Sequence, residues 1–160
     1  MRLQDKVALI TGGARGVGRA FAEAYVREGA TVVIGDIDLS AAERTAAEIG
    51  PACSAICMNV ADVGSIQACV DMVVDKTGKI DILINNAGVG MRQPFVDMPL
   101  ETVEEIMRTN FLGAVYCAHE VLPSLVLLPV VHTIDPMKAG EDSVLPGMIF
   151  GFVFRQDDAA

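Results

Sequence analysis

The stretch KVALITGGARGVG, residues 6–18, decides the fold of this chain. Its apolar run from Val7 to Ile10 is typical of a short buried strand in a parallel sheet. A glycine-rich turn follows, and from Val17 onward the apolar residues recur at helical spacing. A strand, a glycine turn and a helix N-terminus bring backbone N–H groups and the positive end of a helix dipole to one point. This layout predicts a phosphate-binding site.

The glycine spacing, Thr11-Gly12-x-x-x-Gly16-x-Gly18, differs from the commonest dinucleotide fingerprint, G-x-G-x-x-G. Taken alone, the pattern also fits a tight turn that needs positive φ angles. Glycine would matter for binding because a Cβ atom would keep a pyrophosphate away from the backbone. We expect Gly12, Gly16, Val17 and Gly18 to surround the phosphates of a dinucleotide.

Composition narrows the function classes. The 160 residues suit one domain, and 52% hydrophobic with 21% charged residues favours a packed core over disorder. The net charge of −9 argues against nucleic acid or an anionic membrane as the main partner. The longest uncharged apolar stretch, residues 121–134, is too short for a membrane span and carries two prolines. Met1 leads directly into the first strand, so the sequence predicts no signal peptide and a cytoplasmic location.

The cysteines and histidines predict no metal site. Cys53, Cys57, Cys69 and Cys117 form no C-x-x-C pair and have no zinc spacing. We interpret them as buried free thiols in a reducing compartment. The two histidines are isolated in the sequence, which favours structural roles over catalytic ones.

An acidic residue follows the second predicted strand, residues 31–35. Asp36 comes 18 residues after Gly18, close to the spacing expected for a carboxylate that binds the adenosine ribose. Such a carboxylate would also repel the 2′-phosphate of NADP. A helix cap or a solvated turn is the other interpretation. We favour ribose binding, with Ile37 beside it, and therefore NAD over NADP.

The first half of the chain alternates between strands and helices. A capping box that starts at Ser40 predicts the second helix, and Asp62 is expected to cap the third. Residues 54–58 and 80–84 are predicted strands, followed by Asn59-Val60 and by Asn85-Asn86-Ala87-Gly88. This alternation predicts a Rossmann-like α/β fold, a doubly wound parallel sheet in the order 3-2-1-4-5. Ligands bind such sheets at the carboxyl ends of the strands.

The second half is less regular. Residues 101–122 predict a long helix that contains Asn110, an amide unfavourable inside a helix unless its side chain has a role. Residues 130–133 could form a fifth strand, and residues 148–154 a further strand or an exposed apolar segment. We therefore divide the chain into a dinucleotide-binding domain, residues 1–134, and a divergent tail, residues 135–160. The sheet would be incomplete at its C-terminal side.

Together these motifs resemble the short-chain dehydrogenase/reductase family over roughly residues 1–128, with an opening similar to polyol dehydrogenases. The resemblance rests on the glycine motif, Asp36, Asn59-Val60, the Asn85 to Gly88 motif and Asn110. It implies an NAD-dependent oxidoreductase acting on alcohols or carbonyls.

The resemblance also implies a role for each matched residue. Asp36 would bind the adenine ribose, and Asn59 stands where the family more often has an aspartate that contacts adenine. Arg15 resembles a residue that helps bind the 2′-phosphate in NADP-dependent relatives. Asn86, Ala87 and Gly88 would line the central part of the cofactor, with Val60 nearby. Asn110 would be the helix-kinking member of the catalytic tetrad.

One departure from the family is large. Its chemistry uses a serine and a Tyr-x-x-x-Lys motif, whereas the two tyrosines here, Tyr25 and Tyr116, precede Gly29 and Glu120 at that spacing. The resemblance therefore predicts a C-terminally truncated, inactive member with an unrelated tail. Alternatives are a non-catalytic module that binds a dinucleotide or another subunit, and an unstable product. An uncovered sheet edge and apolar helix would favour self-association or aggregation.

Overall fold

A computed structural model describes residues 1–90, 92–124, 129–133 and 152–156, the last two ranges as backbone strands. Strands and helices alternate through the first half of the chain, as predicted. In chain order they are β1 (Val7–Thr11), α1 (Gly16–Arg27), β2 (Thr31–Asp36), α2 (Leu39–Ile49), β3 (Cys53–Cys57), α3 (Val63–Thr77), β4 (Ile82–Ile84), α4 (Leu100–Met107), α5 (Gly113–Val121), β5 (Pro129–Thr133) and β6 (Phe152–Gln156). A π-helical segment, Arg108–Leu112, joins α4 to α5.

The strands form one sheet in the order β3-β2-β1-β4-β6-β5. The pairs β1–β2, β1–β4 and β2–β3 are parallel. The predicted α/β class and the neighbours of the first four strands are therefore confirmed. Parallel strands that are covered on both faces need apolar residues at almost every position, which is why the apolar runs are continuous.

The sheet differs from the predicted order 3-2-1-4-5 beyond β4. The strand next to β4 is β6, which runs antiparallel to it, and β5 pairs antiparallel with the far side of β6. β6 thus supplies hydrogen-bond partners to an edge of β4 that would otherwise be open. It lies within the segment that the sequence assigns to the tail, where the apolar pattern carries no information about a pairing partner.

The core lies in two clusters, one on each face of the sheet, because alternate strand residues point to opposite faces. On one face Leu9, Val33 and Leu83 pack with residues of α3 and α5. On the other face Ile10 and Ile34 pack with residues of α1 and α2. The face of α3 that packs in the core is formed by its buried residues Ile66, Cys69, Val70 and Val73.

Two local predictions need correction. The N-cap of α2 is Asp38, not Ser40, because the Asp38 carboxylate accepts a hydrogen bond from the Ala41 N–H at 3.0 Å. The predicted helix over residues 101–122 is divided by the π-helical segment around Asn110.

The cysteines are free thiols, as predicted, but they are not all buried. Cys53, Cys69 and Cys117 are buried, and Cys57 at the end of β3 is exposed. Burial raises the pKa of Cys53 to about 11 and the pKa of Cys69 and Cys117 to about 12. The three buried thiols are therefore weak nucleophiles, since the thiolate is the reactive form.

Candidate functional site

A cleft of about 320 Å³ opens where β1, β2, β3 and β4 reach their carboxyl ends. Nine of the residues predicted to bind a cofactor line it: Gly12, Arg15, Asp36, Ile37, Asn59, Val60, Asn86, Ala87 and Gly88. Four other predicted residues do not contribute to the lining: Gly16, Val17, Gly18 and Asn110. The cleft therefore gathers residues from four separate strand ends, as the parallel topology requires.

The ends of β1 and β4 are joined through Thr11 and Asn86. The Thr11 hydroxyl accepts hydrogen bonds from the backbone N–H groups of Asn86 and Ala87, both at 3.0 Å. The Asn86 amide nitrogen donates in return to the carbonyl oxygens of Thr11 and Gly12, also at 3.0 Å. The glycine turn is thereby fixed against the strand end that forms the opposite wall of the cleft.

Two glycines are required by close backbone packing. A Cβ atom on Gly18 would lie 2.3 Å from the Gly12 carbonyl oxygen and 2.6 Å from the Asn86 amide nitrogen. A Cβ atom on Gly12 would lie 2.8 Å from the Ala87 Cα atom. Gly16 is different, because it has a φ angle of +58° and open space where a Cβ would be. Gly12 and Gly18 bring α1 close to the sheet, and Gly16 shapes the turn.

The N-terminus of α1 lacks a side-chain cap. Its N-cap residue, Arg15, makes no capping hydrogen bond, and the first turn contains no acidic residue. By contrast, α2 and α3 are capped by the carboxylates of Asp38 and Asp62. An uncapped helix start with its dipole intact favours an anion.

The Asp36 carboxylate is fixed by two backbone hydrogen bonds. One oxygen, Oδ2, accepts from the Ala14 N–H at 3.1 Å, and the other, Oδ1, accepts from the Asp38 N–H at 3.0 Å. The residue is half-buried at the cleft wall. An ionised carboxylate has about four lone-pair sites, so acceptor capacity remains for further donors.

Asn59 forms the turn after β3. Its side-chain oxygen accepts a hydrogen bond from the Ala61 N–H at 3.0 Å, and its own N–H donates to the Ser65 hydroxyl at 2.9 Å. An Asn that bonds the backbone two residues ahead is a common turn device. Val60 is buried next to it, and a Cβ atom on Gly113 would lie 2.9 Å from its side chain. This corner of the cleft is held by α3 and α5.

Asn110 lies in the π-helical segment, and its side chain makes two hydrogen bonds to the loop after β4. Its side-chain oxygen accepts a hydrogen bond from the Val89 N–H, and its amide nitrogen donates to the Val89 carbonyl, both at 2.8 Å. Val89 lines the cleft. The structure thus explains the unfavourable helix residue, since both polar groups of its side chain bond the cleft wall.

The sequence analysis did not predict three of the residues that line the cleft: Met58, Val89 and Thr109. Each adjoins a predicted residue, but none carries a pattern of its own. Met58 is buried, and a Cβ atom on Gly35 would lie 2.7 Å from its sulfur atom. Glycine at position 35 before the predicted acid was the one available sign that a large side chain lies close by.

Neither a metal site nor a membrane-spanning helix is found in the described residues. Within those residues no cluster of three or more His, Cys, Asp or Glu side chains is arranged to hold a metal ion. No helix in these residues combines the length and the apolar character needed to cross a membrane.

Comparisons with known proteins identify the family of this chain. Residues 6–129 match the family model described as short chain dehydrogenase. Sorbitol dehydrogenase of Cereibacter sphaeroides is 50% identical over 126 residues, which cover 79% of this chain and 49% of that protein. Galactitol 2-dehydrogenase of Agrobacterium fabrum is 45% identical over 116 residues, covering 72% and 45%.

A solved structure shows the same fold. The 3-ketoacyl-(acyl-carrier-protein) reductase of Brucella melitensis, complexed with NADH, is 37% identical with a TM-score of 0.74. The match covers 76% of this chain and 51% of that one. The chain thus spans about half the length of the relatives that it matches. The matched residues 6–129 include strands β1 to β4, the glycine turn and the residues of the cleft, and on this evidence the chain belongs to the short-chain dehydrogenase family.

Proposed function

We propose that the cleft binds a nicotinamide dinucleotide and that it prefers NAD to NADP. The observation that carries the preference is the Asp36 carboxylate, which lies at the end of β2 with both oxygens held by backbone N–H groups. Support for the cofactor class comes from the family and from the related reductase that was solved with NADH.

The residues present fit such a cofactor. Gly16 has open space where a Cβ atom would be, and the start of α1 has no side-chain cap. Both features suit a pyrophosphate that approaches the backbone at a helix N-terminus. In this proposal Gly16 and Val17 contribute the first turn of that helix. Asn59 and Val60 take the adenine side of the cleft.

The opposite wall takes the central part of the cofactor in the same proposal. It is formed by Asn86, Ala87 and Gly88 after β4. Asn110 supports that wall through its two hydrogen bonds to Val89. Its part is therefore to shape the cleft rather than to line it.

The preference for NAD follows from charge and acceptor capacity. The free lone pairs of Asp36 suit the two ribose hydroxyls of NAD, whereas its negative charge repels a 2′-phosphate. Arg15 lines the same cleft and is exposed, and its positive charge would favour the 2′-phosphate of NADP. We favour NAD because the Asp36 side chain is fixed by its hydrogen bonds, while the Arg15 side chain is exposed.

Similarity to sorbitol and galactitol dehydrogenases suggests that the ancestral reaction is oxidation of a polyol or a related alcohol, in which the nicotinamide accepts a hydride. Residues 1–160 contain no Tyr-x-x-x-Lys motif. Tyr25 and Tyr116 pack against the two core clusters and do not line the cleft. We therefore propose that these residues bind the cofactor without turnover, since a positioned acid or base usually supplies about 10²–10⁴-fold in rate.

The experiment has two readouts on one sample. Titration with NADH is followed by cofactor fluorescence, and oxidation of sorbitol and galactitol is followed by NADH formation. Binding without turnover is the expected result. Absence of NADH binding would contradict the proposed function, and turnover by a sample free of full-length relatives would contradict the inactive state.

Self-association is a second proposed function, and a surface of α4 and α5 favours it. Met107, Phe111, Val115 and Leu122 recur at helical spacing and are between 41% and 50% exposed. Exposed apolar side chains at helical spacing often mark a protein interface. We propose that the partner is a second copy of this chain and that residues 1–134 are the part that associates. Sedimentation velocity at micromolar concentration tests it, with Val115→Lys expected to shift the sample toward monomer.

A further inference from the structure

Thr45 is a buried polar residue in the middle of α2. Thr45 is 4% exposed, and its hydroxyl donates a hydrogen bond to the Ala14 carbonyl oxygen at 2.6 Å. Threonine is a poor helix former, and a hydroxyl inside a helix usually bonds its own preceding turn. Here the hydroxyl reaches the glycine turn between β1 and α1 instead. This contact is not part of the family motifs identified in the sequence.

The bond to Ala14 acts on two neighbouring peptide groups. The Ala14 carbonyl belongs to the peptide that continues into Arg15, a residue that lines the cleft. Because the C=O and N–H groups of a trans peptide point in opposite directions, fixing this carbonyl toward α2 directs the Arg15 N–H away from α2. The Ala14 N–H, one peptide earlier, donates to Asp36 Oδ2 at 3.1 Å.

The other oxygen of the same carboxylate is also tied to α2. Asp36 Oδ1 accepts from the N–H of Asp38, and Asp38 is the N-cap of that helix. The Asp36 carboxylate is therefore held from both sides by one helix, directly through Asp38 and through Ala14 by way of Thr45. Removing the Thr45 hydroxyl would release one of these two supports.

We propose that Thr45 is a positioning residue for the ribose end of the cleft, which holds the Ala14 peptide so that Asp36 meets the ribose diol of NAD. This inference rests on the proposed dinucleotide binding. Thr45→Val keeps the shape of the side chain and removes the hydroxyl. It should weaken NADH binding about tenfold, because the Ala14 peptide and the Asp36 carboxylate are then held less firmly in the geometry that binding requires. NADPH binding should change less, since a loosened Asp36 repels the 2′-phosphate less strongly.

The test compares NADH and NADPH affinities of the full chain and its variants by calorimetry. Thr45→Ser restores the hydroxyl and should recover the ratio of the two affinities. Thr45→Ala provides a second hydroxyl deletion that favours the helix if the valine variant does not fold. Thr77→Val is the matched control, because the Thr77 hydroxyl lies within hydrogen-bond distance of the Val73 and Lys79 carbonyl oxygens at the end of α3, away from the cleft.

The outcomes separate the two proposals. A lower NADH-to-NADPH affinity ratio in Thr45→Val, recovered in Thr45→Ser and unchanged in Thr77→Val, supports the inference. An unchanged ratio in both hydroxyl deletions overturns the positioning role while the binding function stands. If the unmodified chain binds neither dinucleotide, the proposed function fails and the inference fails with it.

Discussion

Thr11 and Asn86 bind each other reciprocally across the ends of β1 and β4. The Thr11 hydroxyl accepts the Asn86 N–H, and the Asn86 side-chain amide donates to the Thr11 carbonyl, both at 3.0 Å. Thr11 is 1% exposed, so these bonds lie in a region where an unpaired polar group is costly. The pair links the glycine turn to the opposite wall of the cleft.

The first prediction concerns this link. Thr11→Val keeps the shape of the side chain but leaves the N–H groups of Asn86 and Ala87 without their acceptor. The free energy of unfolding should fall by about 2–3 kcal/mol. Urea denaturation measures the change, and Thr11→Ser is the control that keeps the hydroxyl. Equal stability of the valine and serine variants would contradict a role for this hydroxyl.

The second prediction concerns the packing of α1 against the turn. Gly18→Ala would place a Cβ atom 2.3 Å from the Gly12 carbonyl oxygen, so the helix must move away from the sheet. We expect a loss of roughly 2 kcal/mol in stability, as for other overpacked sites, and weaker NADH binding. Gly64→Ala is the control, because its Cβ would meet only a side-chain oxygen of Asp62 at 3.4 Å. If both variants bind NADH as the unmodified chain does, close packing at Gly18 does not matter.

The sequence predicted the cleft well where one motif fixes both conformation and chemistry. Gly12 and Gly18 pack against fixed backbone, and Asp36 ends a strand beside them, so their positions follow from the order of strands and helices. The sequence did not predict Met58 or Thr109, whose positions depend on tertiary packing alone. It also could not place β6, because strand pairing between distant segments leaves no local pattern. Thr45 was missed for the same reason, since its partner lies 31 residues away.

The third prediction concerns Asn110. Asn110→Ala removes both hydrogen bonds to Val89, and we expect weaker NADH binding with a stability loss of about 1–2 kcal/mol. Asn110→Asp keeps an acceptor for the Val89 N–H but loses the donor to its carbonyl. At neutral pH the second carboxylate oxygen would repel the Val89 carbonyl oxygen, so this variant should bind NADH no more tightly than the alanine variant. NADH titration of the three proteins checks this order, and equal affinities would refute it.

The fourth prediction concerns the thiols. Burial raises the pKa of Cys69 and Cys117 from the ordinary value of 9.0 to about 12, so at pH 8 almost none of either is thiolate. Cys57 is exposed and should react first with a disulfide reagent. Cys57→Ser should remove the fast phase of the reaction. A fast phase that persists in this variant would show that a buried thiol is accessible.

The same pKa shifts make the stability of the folded state depend on pH. The unfolded chain ionises these thiols near pH 9, before the folded chain does so near pH 12. The folded state therefore loses stability as the pH rises through this window, and the contribution is fully present below pH 9. Thermal unfolding between pH 8 and 11 measures the slope, which should become shallower in Cys117→Ala.

The choice between NAD and NADP shows whether the Asp36 carboxylate binds the adenosine ribose. Calorimetric titration of the unmodified chain should show NADH binding at least about tenfold more tightly than NADPH, because a carboxylate facing a 2′-phosphate is strongly unfavourable. Asp36→Ala should narrow that difference by removing the charge. Equal or tighter binding of NADPH to the unmodified chain would contradict the proposal that Asp36 makes the cleft prefer NAD.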